Sequence, residues 1–258
     1  MTFVDNGAVT FEVDAGIAVV TINRPEARNS VNLAVAKGLA TALDEVDTRE
    51  DIKVGILTGA GGNFCSGMDL KAFLAGEIVR IEGKGFAGVT QVMSRKPWIS
   101  AVEGYALAGG FELAIWCDLI VASEEARFGL PEVKRGLVAN AGGLLRLPRQ
   151  MPTRIATELV LTGDLVSAQR LNSYGLINCL SAPGEALQGA MTLAARIAAN
   201  GPLAVSTSKL VMQLGSDWDQ TEMFEQQNRL TAPVFVSEDA REGALAFAEK
   251  REPQWRGK

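Results

Sequence analysis

The chain contains no histidine. That absence removes Ser-His-Asp hydrolases, Cys-His enzymes, zinc peptidases and any acid–base catalysis run through an imidazole. Proton transfer near neutral pH must then come from carboxylates, lysine, tyrosine, a thiol or backbone dipoles. Cysteine is scarce as well. Cys65, Cys117 and Cys179 are scattered and odd in number, which fits neither a disulfide framework nor a zinc site and suits a reducing compartment. Positive charge is outweighed, with 25 Lys and Arg against 30 Asp and Glu and a net charge of −5. No nucleic-acid partner is expected, because such a surface needs clustered Lys and Arg; a local basic spot is still enough for one phosphate-bearing small molecule.

Long apolar runs are also missing. The most apolar stretch, Phe111 to Ala122, carries Glu112 and Asp118 and cannot span a membrane cheaply. Met1-Thr2-Phe3-Val4-Asp5-Asn6 lacks the charged-then-apolar layout of a signal peptide. The expectation is a cytoplasmic protein with no membrane partner. What remains is ordinary for a globular chain: 258 residues, 47% hydrophobic and 21% charged, enough for one large domain or one domain with a helical appendage.

Thr10–Asp14 and Ile17–Asn23 read as strands joined at Ala15-Gly16, a hairpin signal. Asn32 to Val46 spaces Leu33, Ala36, Leu39, Leu43 and Val46 as an amphipathic helix, and Lys53–Thr58 is a β-branched, apolar strand that stops at Gly59-Ala60-Gly61-Gly62. Strands recur at Trp98–Val102 and Leu119–Ala122, around a helical stretch from Gly110 to about Cys117. This order predicts a mixed α/β fold. Lys71 to Lys96, punctuated by Gly76, Gly83, Gly85 and Gly88, reads as a mobile loop-and-helix segment. Helices are expected over Ser167 to Asn172 and Glu185 to Asn200. After the break at Asn200-Gly201-Pro202, further helices are expected over Leu203–Leu214, Gln220–Thr231 and Glu238–Lys250. Residues 1–200 are therefore expected to form the α/β core and 201–258 a helical region.

The glycine-rich turns lack the common phosphate signatures. Phe64 breaks both G-x-G-x-x-G and G-x-S-x-G around Ser66, and no G-x-x-x-x-G-K-[ST] occurs. Three stretches stand out instead. Phe64-Cys65-Ser66-Gly67-Met68-Asp69-Leu70-Lys71 places small residues just past a strand, where free N–H groups can face an anion; an ordinary tight turn has the same composition and is the commoner case. Glu103 to Ala114 reads as a strand ending at Gly109-Gly110 and feeding straight into a helix, whose first amides lack intrahelical partners. Glu112 sits in that first turn among Phe111, Leu113, Ala114 and Ile115. It is either a carboxylate favoured by the helix dipole or a buried, costly one. Phe128-Gly129-Leu130-Pro131-Glu132, with Gly136 and Asn140-Ala141-Gly142-Gly143, sets Glu132 after a proline in a glycine-punctuated segment. Read from this segment alone, a solvated carboxylate near a helix start is the commoner explanation of Glu132.

Taken together, and in this order, the stretches resemble the enoyl-CoA hydratase (crotonase) family. Thr21-Ile22-Asn23-Arg24-Pro25 resembles its early strand and turn. Ser66-Gly67-Met68-Asp69-Leu70-Lys71 resembles its first oxyanion-loop motif, and Gly104 to Ala114 its central motif. Phe128 to Glu132 with Gly136 and Gly142-Gly143 resembles its third, while Leu161-Thr162-Gly163-Asp164 and Ala246 to Arg251 resemble later segments. The resemblance implies a spiral of β-β-α units with a C-terminal helical region that builds trimers or dimers of trimers. It implies an acyl-CoA thioester as substrate, no separate cofactor and no metal. By position it makes the backbone amides of Met68 and Gly109 an oxyanion hole and Glu112 and Glu132 the catalytic pair. Glu112 is more like the water-activating partner and Glu132 like the acid/base at the α-carbon. Ser66, Gly67, Asp69, Lys71, Arg24, Arg28 and Lys250 are implied as substrate contacts; Glu26 stands where some members carry a lysine, and Arg28 compensates.

Both glutamate positions being filled implies an enoyl-CoA hydratase. Gly109 to Glu112, Gly142 to Pro148 and the ending through Lys250-Arg251 also resemble the carnitinyl-CoA dehydratase branch, the main alternative. A single-glutamate isomerase is a further alternative. A non-catalytic binding protein on the same scaffold, RNA-binding included, is disfavoured by the acidic balance and by the presence of both glutamates.

Overall fold

The computed structural model describes residues 7–258, so the hexapeptide weighed above as a leader lies outside the described residues. Strands β1 (Val9–Asp14) and β2 (Ile17–Ile22) pair antiparallel, with Asp14 opposite Ile17. The two turn residues both take positive φ, 48° at Ala15 and 80° at Gly16, the geometry that matches the twist of a tight hairpin. Helix α1 (Leu33–Thr48) starts at Asn32, whose side chain accepts from the Val35 amide. Strand β3 (Val54–Gly59) then returns parallel to β2.

Lys71 to Lys96 departs from its expected loop-and-helix form. It holds one short helix, α2 (Leu70–Leu74), followed by a small antiparallel hairpin of β4 (Arg80–Ile81) and β5 (Gly85–Phe86). Strands this short carry no readable alternation, so pattern alone could not find them. Beyond them come β6 (Trp98–Val102), β7 (Tyr105–Leu107), α3 (Gly109–Trp116), β8 (Leu119–Ser123) and β9 (Arg127–Gly129). A 3₁₀ turn over Pro131–Arg135 leads into α4 (Gly143–Gln150) and α5 (Thr153–Thr162). Then follow β10 (Val166–Ser167), α6 (Ala168–Ser173), β11 (Cys179–Ser181) and α7 (Ala186–Ala198).

The main sheet runs β1-β2-β3-β6-β8-β11, parallel apart from the first hairpin, and a second sheet runs β10-β9-β7. Each strand-pair unit crosses from one sheet to the other: β6 leads to β7 and α3, and β8 leads to β9 and α4. The main sheet is covered on both faces, as parallel sheets must be. Ile17, Ile56, Ile99 and Ala101 pack against a helix face of Ala186, Ala190, Ala194 and Ala198, while Leu57, Trp98 and Val102 join the larger core with α1 and α3. Methyl-sized side chains spaced four apart let α7 lie close to the sheet. Glu103 accepts from the Ala186 amide at 2.9 Å and so caps that helix.

Three helices end the chain: α8 (Pro202–Gly215), α9 (Met223–Phe235) and α10 (Glu238–Glu249). Lys209 on α8 ties them to the main sheet, pairing with Asp118 at 2.7 Å and donating to the Lys96 carbonyl at 2.6 Å. Among the described residues no helix is long and apolar enough to cross a membrane.

Candidate active site

The site forms where two backbone segments meet. Cys65 and Ala106 bridge in parallel: the Cys65 amide donates to the Tyr105 carbonyl at 2.9 Å and the Leu107 amide to the Cys65 carbonyl at 3.0 Å. Only glycine permits this approach at position 110, because a Cβ there would lie 2.0 Å from the Cys65 oxygen. Gly67, at φ 94°, also comes close, though less so; its Cβ would lie 2.9 Å from the Leu107 oxygen and 3.1 Å from the Gly109 nitrogen. The Met68 loop and the Gly109 turn are therefore packed together at backbone level.

Both amides singled out in the sequence are left over by that packing. Val31 donates to the Gly67 carbonyl and accepts from the Asp69 amide, which clamps the chain on either side of Met68. Among the described residues neither the Met68 nor the Gly109 amide donates to a protein acceptor. Gly109 opens α3, so the positive end of that helix adds to its N–H. The preceding residue, Ala108, holds φ 52° and ψ −128°, a conformation that suits glycine, fixed by its amide donating to the Gly129 carbonyl and by its own carbonyl accepting from Glu112. Strain of this kind costs on the order of 1–3 kcal/mol and persists only where the surroundings over-determine it. An anion held here would meet donors aimed in advance.

Glu112 lies one helical turn further on and is 2% exposed. Its Oε1 accepts from the Ala141 and Gly143 amides, each at 2.8 Å. Burial raises its pKa; those two hydrogen bonds, Gly143 first, and then the charges of Arg146 and Arg80 work against the rise. The burial implied by its apolar neighbours is therefore found, together with the partners that make it tolerable.

Glu132 sits in the 3₁₀ turn after Leu130 and is in a different situation. Its Oε2 is buried without a hydrogen-bond partner. Burial, with the Glu112 charge acting in the same direction, pushes its pKa up to about 7 against smaller opposing effects of its own backbone amide and Arg135. The two carboxyls thus feel one another but are held unlike: one by two amides from another segment, the other with its Oε2 unpartnered and only its own backbone amide acting on it. Two titratable groups with differing environments mark a division between base and acid.

The two buried thiols drop out of contention. Cys65 is fully buried and burial pushes it up to about 12, while Cys117 is raised well above the ordinary thiol range by the same cause. Among the described residues no three His, Cys, Asp or Glu side chains are grouped to hold a metal.

The remaining sequence-predicted residues divide into bracing and open groups. The Asp69 carboxylate caps α2 through the Lys71 and Ala72 amides and pairs with Arg24 at 3.0 Å. Arg24 also donates to the Ser30 carbonyl at 2.7 Å, so both residues brace the Met68 loop instead of reaching outward. Arg28 borders that loop: its carbonyl accepts from the Ser66 amide, and its guanidinium lies over the Tyr105 ring at 5.9 Å. Lys71 is exposed just beyond Met68. Lys250 caps α10 at φ 54°, on a different element from every other predicted contact, and nothing among the described residues joins it to the carboxylates. Sequence reasoning missed the Ala141 amide, Arg146, and Phe86, whose ring lies 2.6 Å from where a Cβ on Gly109 would stand. Only the Gly142-Gly143 pair signalled this neighbourhood, since a Cβ on Gly143 would lie 3.1 Å from Glu112 Oε1.

A carboxylate pair of unlike environment, with the unspent Gly109 amide one helical turn from Glu112, is an arrangement that could run acid–base chemistry without histidine. The chain belongs to the enoyl-CoA hydratase/isomerase family, whose model matches residues 12–258. It is 40% identical over 247 residues to Enoyl-CoA hydratase EchA19 of Mycobacterium tuberculosis, covering 93% of each chain. It is 39% identical over 249 residues to a carnitinyl-CoA dehydratase of Salmonella arizonae, covering 93% of this chain and 95% of that one. The solved structure of an enoyl-CoA hydratase from Mycobacterium tuberculosis H37Rv superposes with a TM-score of 0.97 at 53% identity, over 98% of this chain and 100% of that one. The architecture is accordingly the crotonase spiral of β-β-α units with a helical C-terminal region.

Proposed function

We propose that this enzyme adds water reversibly across the 2,3 double bond of an enoyl-CoA thioester. The observation that carries the reading is the unlike support of Glu112 and Glu132. Glu112, steadied by two amides, is suited to stay ionised and take a proton from water as its oxygen bonds to C3. Glu132, unpartnered and poised near neutrality, is suited to hand a proton to C2. Between the two steps the thioester oxygen gains enolate charge, and the Met68 and Gly109 amides face it. Such preorganised donors matter most where charge develops. One O–H bond of water and the C2–C3 π bond break, one C–O and one C–H bond form, and the proton gained by Glu112 and the one lost by Glu132 re-equilibrate through solvent, so no cofactor is needed to balance the step.

Exposed Leu70, Phe73, Leu74 and Ile78 follow directly on the Met68 loop and favour a hydrocarbon acyl chain over a bare polar one. Lys71, Arg28 and Lys250 are assigned to the coenzyme A phosphates. On α9 and α10, Phe224, Phe235 and Phe247 stand 65%, 79% and 87% exposed, which supports residues 201–258 as the region that assembles a trimer or a dimer of trimers. A cytoplasmic location accords with the acidic, thiol-bearing composition. Carnitinyl-CoA dehydratase is the second reading, favoured by the 39% identical relative of that name. Loss of the conjugated enoyl absorbance with crotonyl-CoA tests the first reading, and kcat/KM for crotonobetainyl-CoA tests the second. Absence of turnover on every chain length and on crotonobetainyl-CoA would refute both.

A further inference from the structure

Of the two amides that hold Glu112, that of Ala141 lies in the irregular segment between the 3₁₀ turn and α4 and that of Gly143 opens α4, so something else must fix their common aim. Arg146, on the first turn of α4, lies on that loop. Its Nη1 reaches the Ala141 carbonyl at 3.4 Å and its Nη2 donates to the Thr90 carbonyl at 2.6 Å. A Cβ on Gly142 would lie 1.8 Å from Nη1, so the guanidinium is pressed against the backbone between the two donating amides. Gly142 also takes φ 115°, and no other residue would combine that turn with that contact. At the far end of the bridge, the Thr90 amide donates to the Phe86 carbonyl, and the Phe86 ring supports Gly109. One side chain therefore spans the clamp on Glu112 and the segment behind the Gly109 amide.

We propose that Arg146 is a positioning residue for the reaction, holding the Ala141–Gly143 loop on Glu112 and the Phe86–Thr90 segment behind Gly109. The inference rests on the carboxylate-pair reading of the site. A guanidinium suits the task because its planar fork bonds two carbonyls at once and keeps its charge when half-buried. That charge also matters to Glu112, which is faced by Arg146 from α4, by Arg80 from β4 and by Glu132 from the 3₁₀ turn. Arg80 reaches it indirectly, bonded to Asn140 Oδ1 at 2.7 Å, and its exposure leaves Arg146 as the closest thing to a buried counter-charge.

The test compares wild type, Arg146→Met and Arg146→Lys by infrared titration of the Glu112 carboxyl band, assigned by its absence from Glu112→Gln, and by crotonyl-CoA kinetics. The Met variant is expected to titrate Glu112 at higher pH and to lose about ten- to a hundredfold in kcat, with KM within about twofold. Lys, which keeps the charge and loses the fork, is expected to recover the titration more fully than kcat, and it carries the test alone if the Met variant does not fold. An unmoved Glu112 titration, or a loss confined to KM, would overturn the proposal. The titration needs no turnover, so wild type inactive on crotonyl-CoA would count against the hydratase reading and leave the Arg146 assignment to stand or fall on the infrared result.

Discussion

The Gly143 amide donates to Glu112 Oε1 at 2.8 Å, and a Cβ added to Gly143 would stand 3.1 Å from that same oxygen. The residue that holds the carboxylate is thus kept small by the carboxylate itself. Gly143→Ala should leave the fold intact and push Glu112 by a few tenths of an ångström, lowering kcat by about tenfold or more. Gly110→Ala is different in kind, since its Cβ would meet a backbone oxygen at 2.0 Å that cannot give way. It should cost about 3 kcal/mol or more and be seen in thermal melts before any assay. A Gly110→Ala protein as stable as wild type would contradict the close approach at Cys65.

Glu112→Gln and Glu132→Gln keep shape while removing proton exchange. Each should lower kcat by at least roughly a hundredfold, with little change in binding of a CoA thioester. The double variant should lose less than the product of the single losses, because both residues act on one water and one substrate. Glu124 and Glu125, both exposed, are the proper controls; Glu103 is not, because it caps α7. Near-normal turnover of either folded Gln variant would remove that residue from the mechanism.

In the hydration direction the enzyme needs Glu132 protonated and Glu112 ionised. With Glu132 at about 7, kcat/KM should fall as pH rises through neutrality, and fall again in acid as Glu112 takes up its proton. A profile with no fall as pH rises through about 7 would be incompatible with this division.

The same shift predicts a stability effect. The folded pKa of Glu132 lies above that of an unfolded chain, so the fold binds the extra proton and gains stability below the unfolded value. That gain is lost as pH rises from the ordinary glutamate range through about 7. Glu132→Gln, which never ionises, should melt above wild type at pH 8 and converge with it in mild acid. Equal melting temperatures at both pH values would show that the carboxyl is not buried as described.

Lys71 and Lys250 are exposed, so contacts from them to coenzyme A phosphates should be salt-sensitive. Lys71→Ala with Lys250→Ala should weaken CoA binding at low ionic strength and narrow the gap to wild type as salt is added, read by calorimetry. Unchanged affinity across ionic strengths would withdraw both assignments.

Long elements were legible in the sequence because side-chain spacing reports them directly: the first hairpin, α1, β6 and α3 stand where period and turn residues put them. The absence of histidine already removed imidazole chemistry and left carboxylates among the few groups able to move a proton, and the motif order pointed to Glu112 and Glu132. The β4–β5 hairpin and the second sheet left no such trace, because strands of two or three residues have no period to read, and α4 was masked by its opening glycines and by Pro148 inside it. Nor could local sequence say that Arg24 and Asp69 brace each other across 45 residues of chain, or that Glu112 is steadied by amides 29 and 31 residues away. Carboxylate identity is a property of the chain; which carboxylate keeps its charge depends on burial and on donors brought from elsewhere, and those exist only once the chain has folded.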